Sequence, residues 1–269
     1  MVSFFDQSII SAGQANSIQH NPDTLPPAAQ FAKQYFAKPI SQRPDMSTLT
    51  LEFLALGLRY PLHEAAANGL QNVVIRLIGM DRDVNETDNI NATPLHYATL
   101  GGHTEVVQLL VKATGCNLNA QDSLGHTPLS HAAANGFTKI VRVLLAAHAN
   151  ANLQDLGGNT PLHHAVHFRQ KEAIIVLLEH HQINVNPVNG NGDINDPANT
   201  TPLDEASEIL DSEFHVQTQA DSNIKRILKA HGALTRKDLA AGFLAEPPSA
   251  TTCNNTLMGY QLLTQDEHA

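Results

Sequence analysis

One short phrase returns along this chain and limits what it can fold into. It reads Thr93-Pro94-Leu95-His96, Thr127-Pro128-Leu129-Ser130, Thr160-Pro161-Leu162-His163 and Thr201-Pro202-Leu203-Asp204, with a degraded copy, Tyr60-Pro61-Leu62-His63, ahead of them. The prolines stand at 61, 94, 128, 161 and 202, so the intervals are 33, 34, 33 and 41 residues. A period of that length predicts a stacked solenoid. Solenoids present long concave surfaces to partners in place of deep reaction clefts.

Each unit can be read from its residues. The Thr93 hydroxyl can cap a helix by reaching an unpaired amide of the first turn. Pro94 follows at the first helical position, where its missing N–H costs nothing. Leu95 and Ala98 share one side at helical spacing, and Ala98 is small enough for close helix packing. Gly102 ends this short helix, as glycine does where a left-handed residue is needed. A second helix opens at Thr104 and carries Val106, Val107, Leu109 and Leu110 as an apolar stripe. Asn117-Leu118-Asn119 and Asp122-Ser123-Leu124-Gly125 then form a polar stretch with turn chemistry. One unit is helix, turn, helix, and an extended hairpin-like loop.

These units resemble ankyrin repeats. After Thr127-Pro128-Leu129 the matching residues come in order: Ala132-Ala133, Asn135-Gly136, Val141, Leu144-Leu145, Ala149, Asn152, Asp155 and Gly158. The resemblance covers roughly residues 55 to 236. It implies an all-α ankyrin solenoid of about five helix-turn-helix units with hairpin loops and helical caps at both ends. The units run over 58–92, 93–126, 127–159, 160–200 and 201–236.

The flanks read differently. Residues 1–24, rich in Gln, Asn and Ser, predict a flexible segment. Residues 25–57 predict a helical cap for the first unit: one helix over 28–37 with Phe31, Tyr35 and Phe36, and one from about 45 to 56 with Leu49, Leu51, Phe53, Leu54 and Leu56. At the other end, Lys225, Ile227 and Leu228 mark the last outer helix. Residues 237–248, with Leu239, Phe243 and Leu244, predict a closing helix, and 249–269 a tail. The longer last interval reflects an insertion over 189–196; insertions in repeat arrays map to loops on one face, often the binding face. Asp193, Asn195 and Asp196 lack the spacing and terminal Glu of a calcium loop. The fifth unit is also stretched, with Asp211 to Asp221 expected as an extended helix pair or a longer turn.

Composition narrows the function. Lys and Arg total 16 against 26 Asp and Glu, a net of −10, which argues against nucleic acid because phosphate binding needs a concentrated basic face. The acidity suits solubility or a partner with a basic surface. No apolar run reaches the length of a membrane span. Met1 to Asp6 shows no basic region before an apolar stretch, so no secretory leader is expected. Cys116 and Cys253 suggest no disulfide framework, and a reducing, cytoplasmic setting fits them.

Fifteen histidines invite a catalytic or metal reading. The resemblance gives His63, His96 and His163 a local structural bond that ties neighbouring loops. His163 and His167 are four apart, as zinc ligands can be, but no third ligand is evident, and no metal or cofactor is expected. Ser130 and His131 are adjacent on a helix and do not face each other, so they make no catalytic pair. No phosphate loop or carboxylate pair is found, and no enzyme activity is expected.

The resemblance instead implies a protein-binding scaffold, expected as a monomer. Its contact positions carry over to the hairpin tips, Asn89, Ile90, Ala92, Ser123, Leu124, His126, Leu156, Gly157 and Asn159. From the inner helices come Leu100, Ala134, Asn135, His167 and Phe168. Leu100, Leu124, Leu156 and Phe168 are apolar where solvent is expected and read as interface anchors. At Arg169 the inner-helix glycine is missing. Asn, Gln and His richness and the polar end Leu262 to Ala269 make the chain similar to ankyrin effectors that intracellular bacteria deliver into host cells by type IV secretion. In that reading the partner is a host protein. A eukaryotic-style cytosolic adaptor, and an enzyme or enzyme recruiter with its activity in the non-repeat ends, stay open as alternatives.

Overall fold

A computed structural model describes residues 27–38, 53, 56, 58–194, 196, 198–211 and 219–242. Among the described residues there are twelve helices and no strand. Helix α1 (Pro27–Ala37) precedes five helix pairs. These are α2 (Pro61–Ala67) with α3 (Gln71–Ile78), α4 (Pro94–Leu100) with α5 (Thr104–Lys112), α6 (Pro128–Ala134) with α7 (Thr138–Ala146), α8 (Pro161–His167) with α9 (Lys171–Leu178), and α10 (Pro202–Asp211) with α11 (Gln219–Ala230). The short α12 (Arg236–Ala240) follows. Helices α2, α4, α6, α8 and α10 pack side by side as an inner row, and α3, α5, α7, α9 and α11 as an outer row.

The recurring phrase sets each inner helix. Thr93 N–H donates to His96 Nδ1 at 3.1 Å, and the Thr93 hydroxyl stands 2.9 Å from the same nitrogen. His96 Nε2 lies 3.1 Å from the His126 carbonyl of the next unit. A carbonyl can only accept, so Nε2 carries the proton and Nδ1 is the acceptor. One imidazole thus caps its own helix and ties it to the next hairpin. His163 repeats this with Thr160 and the Thr200 carbonyl, at 3.2 Å. In the degraded first copy, Tyr60 replaces the threonine. His63 still reaches the Ala92 carbonyl at 3.1 Å, but its Nδ1 is buried without a partner. In the fifth copy Asp204 takes the histidine's place and accepts the Thr201 amide at 3.0 Å and the Arg236 amide at 2.7 Å.

Close approach of the inner row depends on one alanine column: Ala65, Ala98, Ala132 and Ala165 are all fully buried. The outer helices turn Val106, Val107 and Leu110, then Ile140, Val141 and Leu144, then Ile174 and Leu177 into the same core. The turn inside each of the first four pairs uses a left-handed residue. Gly102 (φ +70°) and Gly136 (φ +68°) supply it, and in the fourth unit Arg169 adopts φ +57° in their place.

At the N-terminal end the fully buried Phe53 meets Phe31 edge-on, with ring centroids 5.5 Å apart. The expected helix over 45–56 falls mostly outside the described residues, as do 1–24 and the 249–269 tail. The fifth unit has longer helices than the others, α10 of 10 residues and α11 of 12; the segment between them lies outside the described residues.

The closing helix differs from the expectation over 237–248. It occupies Arg236–Ala240 and gives way to a turn with Gly242 at φ +79°. Residues beyond 242 lie outside the described part. Thr235 and Asp238 bond reciprocally, as Thr201 and Asp204 do, so α12 begins like a further inner helix. Arg236-Lys237 in place of Pro-Leu hides this copy of the phrase. No helix among the described residues is long and apolar enough to cross a membrane.

Candidate docking face and its polar ladder

Hairpin tips form a continuous edge because each is bonded to the next through its backbone. Ser123 N–H donates to the Ile90 carbonyl at 2.8 Å, Leu156 N–H to Leu124 at 3.1 Å, and Gly190 N–H to Gly157 at 2.7 Å. The last bond gives the 189–196 insertion a structural place: it continues the edge. Only glycine permits this approach at Gly158, where a Cβ would stand 2.4 Å from the Gly190 backbone. Asn189 Nδ2 also donates to Asn159 Oδ1 at 3.0 Å, and Arg236 Nη1 reaches the Ile194 carbonyl at 3.2 Å.

The expected contact residues divide by exposure. Leu156 is 79% exposed, Leu124 47% and Phe168 39%, and Asn89 and Ser123 also face solvent. Leu100 and Ile90 are half-buried. His167 is exposed and pairs with Glu205 at 2.8 Å; that hydrogen bond raises its pKa against partial burial. Ala92 and Ala134 are 1% and 3% exposed, so their side chains offer almost no surface. Asn135 Nδ2 is spent on the His131 carbonyl at 2.9 Å. The Asn159 amide donates to Asp155 Oδ1 at 2.8 Å.

Behind the tips runs a ladder of side chains that the sequence reading missed. An aspartate at the start of each of the first three hairpins meets the residue nine positions on, in the following inner helix. Tyr97 O–H donates to Asp88 Oδ2 at 2.6 Å, His131 Nε2–H to Asp122 Oδ2 at 2.9 Å, and His164 Nε2–H to Asp155 Oδ2 at 2.8 Å. His126 joins two rungs: its Nε2 is 3.4 Å from Asp155 Oδ2 and its Nδ1 3.8 Å from Asp122 Oδ2. Its ring lies edge-to-face with His131 and His164, at centroid distances of 5.1 and 5.0 Å.

The ladder sorts charge. Burial works to raise the Asp155 pKa, but bonds from His126 and His164 overcome it and hold the carboxyl far below its usual range. Asp122 is lowered likewise, with His131 as its main partner against burial. Burial lowers His131 despite that bond, so it stays a neutral donor to a carboxylate. Burial also opposes a charge on His126, yet the Asp155 bond and both aspartate charges raise it. Outside the ladder, burial pushes the Cys116 thiol up to about 11, which makes it a poor nucleophile at neutral pH.

Paired helices stacked through short bonded hairpins define a tandem-repeat helical solenoid. A family model described as ankyrin repeats in three copies matches residues 40–122, 62–155, 114–189 and 139–211, more than half of the sequence. The chain belongs to the ankyrin-repeat family, whose members are typically non-enzymatic interaction domains, and its repeats support a protein–protein interaction scaffold. It is similar to an ankyrin repeat, bromo and BTB domain-containing protein of Dictyostelium discoideum, with 48% identity over 40 residues. That match covers 15% of this chain and 5% of the relative.

Proposed function

We propose that the edge built by the hairpin tips and the end of α8 is the docking face for a protein partner. The observation that carries this reading is the pair Leu124 and Leu156. They sit on adjacent tips joined by a backbone bond, and they are 47% and 79% exposed. Phe168 adds an aromatic anchor against the His167 ring, 4.8 Å away between centroids. Apolar side chains on a bonded edge lose little conformational freedom on binding, which favours affinity. The net charge of −10 supports a partner with a basic contact surface and an association rate that falls with salt.

Proximity labelling with the native chain and with Leu124→Asp/Phe168→Asp tests the reading. The substituted chain keeps its thermal midpoint and loses the partners that the native chain labels. An unchanged midpoint with unchanged labelling sinks the assignment of this face.

The cellular setting we propose is delivery into a host cell, with residues 249–269 as the transport signal. The polar, acidic composition of that segment supports it. A reporter fused to these residues is translocated by a type IV system if the reading holds, and retained in the donor cell if it does not.

A further inference from the structure

We propose that His126, Asp155 and His164 form a binding site for one divalent transition-metal ion of the zinc class. The site does not rest on the docking proposal, although His126 also belongs to a hairpin tip. One ligand atom from each of the three residues lies within 4.8 Å of the other two. Asp155 Oδ2 is the hub, 3.4 Å from His126 Nε2 and 2.8 Å from His164 Nε2. Around a tetrahedral ion with bonds of about 2.0–2.2 Å, donor atoms stand roughly 3.3 Å apart. Two imidazoles on such an ion have centroids about 5 Å apart. The His126 and His164 rings already stand at 5.0 Å, at 87° to each other. The two carboxylate–imidazole distances therefore lie within about 0.5 Å of the tetrahedral value.

The surroundings are those of a supported ligand set. Asp155 Oδ1 accepts the Gly157 and Asn159 amides, each at 2.8 Å, which fixes the carboxylate and leaves Oδ2 for the ion. His126 Nδ1 is buried and has no hydrogen-bond partner, yet faces Asp122 Oδ2 at 3.8 Å. Asp122 is itself held by the Leu124 and His126 amides, each at 2.9 Å. A metal-bound imidazole characteristically directs its other N–H to a carboxylate. Binding through Nε2 places the His126 proton on Nδ1 and gives this orphaned atom a role. On His164 the ion replaces the proton now shared with Asp155, and the neutral ring carries its proton on Nδ1.

The neighbouring set Asp122, His126 and His131 is a poorer site. Asp122 and His131 are 3% and 2% exposed, so an ion held there would have no open position for water without opening the core. His126 and His164 keep exposed edges of 19% and 15%, leaving a fourth position for water. Two imidazoles and one carboxylate suit zinc, cobalt, nickel or copper, whereas calcium and magnesium prefer all-oxygen shells. The sequence reading expected no metal because it sought ligands four apart on one helix; these three come from two successive hairpins and an inner helix.

The full chain, stripped with a chelator and dialysed, is titrated with Zn2+ against a chromogenic chelator at pH 7.5. The expected result is one Zn2+ per chain, with affinity reduced more than about 100-fold in His126→Gln, Asp155→Asn and His164→Gln. Asp155→Asn retains the Oδ1 acceptor for the Gly157 and Asn159 amides, so circular dichroism should report a folded chain. His180→Gln/His181→Gln, which alters a surface pair elsewhere, should bind as the native chain does. No stoichiometric binding, binding unchanged in the three variants, or binding lost with the His180/His181 pair overturns the site. A measurement on the native chain needs no variant: Zn2+ should protect His126 and His164 from diethylpyrocarbonate, read by mass spectrometry. Equal modification with and without Zn2+ also overturns it.

Discussion

At the scale of single residues, the phrase histidine makes stability depend on pH. His96 is fully buried, with both ring nitrogens engaged, and burial followed by the nearby His131 lowers its pKa to about 4. The unfolded imidazole binds a proton near pH 6.5, whereas the folded one does not until about pH 4. Stability is therefore lost as pH falls through that window, by an amount on the order of 3 kcal/mol for this group. His63, His131 and His163 are lowered too and act with the same sign. His126 and His167 are raised and act in the opposite sense: their contribution is whole below pH 6.5 and fades as pH rises through their folded values. Urea unfolding at pH 7 and at pH 4.5 checks this, and His96→Gln should flatten the dependence. Arg169 offers a second test. Its φ of +57° costs a side-chain-bearing residue roughly 1–2 kcal/mol. Glycine relieves that strain but loses more backbone freedom on folding, by about 0.5–1 kcal/mol, and gives up any interaction of the arginine side chain, so Arg169→Gly should raise stability by no more than about 1 kcal/mol, measured from the urea midpoint.

At the scale of elements, each helix is too short to stand alone and depends on its neighbours. Leu129 in α6 has no exposed surface and belongs to the continuous core, so Leu129→Ala should cost about 2–5 kcal/mol in calorimetry or denaturant unfolding. An unchanged midpoint would contradict the stacking. These elements were legible in the sequence because Thr-Pro-Leu marks each inner helix start and the Val106-Val107-Leu110 stripe marks each outer face. The α12 start was not, since Arg236-Lys237 removes the Pro-Leu signal and leaves only Thr235 and Asp238. The exposed leucines Leu124 and Leu156 could be picked out by position. The burial of Ala92 and Ala134 could not, because the repeat pattern gives a residue's place along the unit and not the direction of its side chain. The His126 ladder escaped for a different reason: each rung crosses a unit boundary, from Asp88, Asp122 and Asp155 to Tyr97, His131 and His164, and His126 reaches on to Asp155 of the next unit.

At the scale of the whole molecule, a solenoid is coupled only through nearest neighbours, so its interfaces decide how cooperatively it opens. One asparagine per unit serves as a clasp on the outer side. The Asn117 amide donates to Asn85 Oδ1 at 2.7 Å, and the Asn150 amide to Asn119 Oδ1 at 2.8 Å. Asn152 clasps both ways, donating from Nδ2 to the Gln182 carbonyl at 2.7 Å and accepting the Asn184 amide at 2.7 Å. Asn186 does the same for the end of the array, through the Gly232 carbonyl and the Leu234 amide. These bonds lie near solvent, where water can replace a lost partner, so Asn152→Ala should cost only about 1 kcal/mol overall. Its location matters more than its size. The clasp joins the third and fourth units, and its loss should let α8 to α11 open without the rest. Hydrogen exchange should then rise in α8 through α11 while α4 and α5 keep their native protection. Leu129→Ala, by contrast, weakens the core that both sides share and should raise exchange in α4 through α9 together. A uniform rise in the Asn152→Ala chain would mean that the array opens as one body, and that coupling between units is stronger than nearest-neighbour stacking supplies.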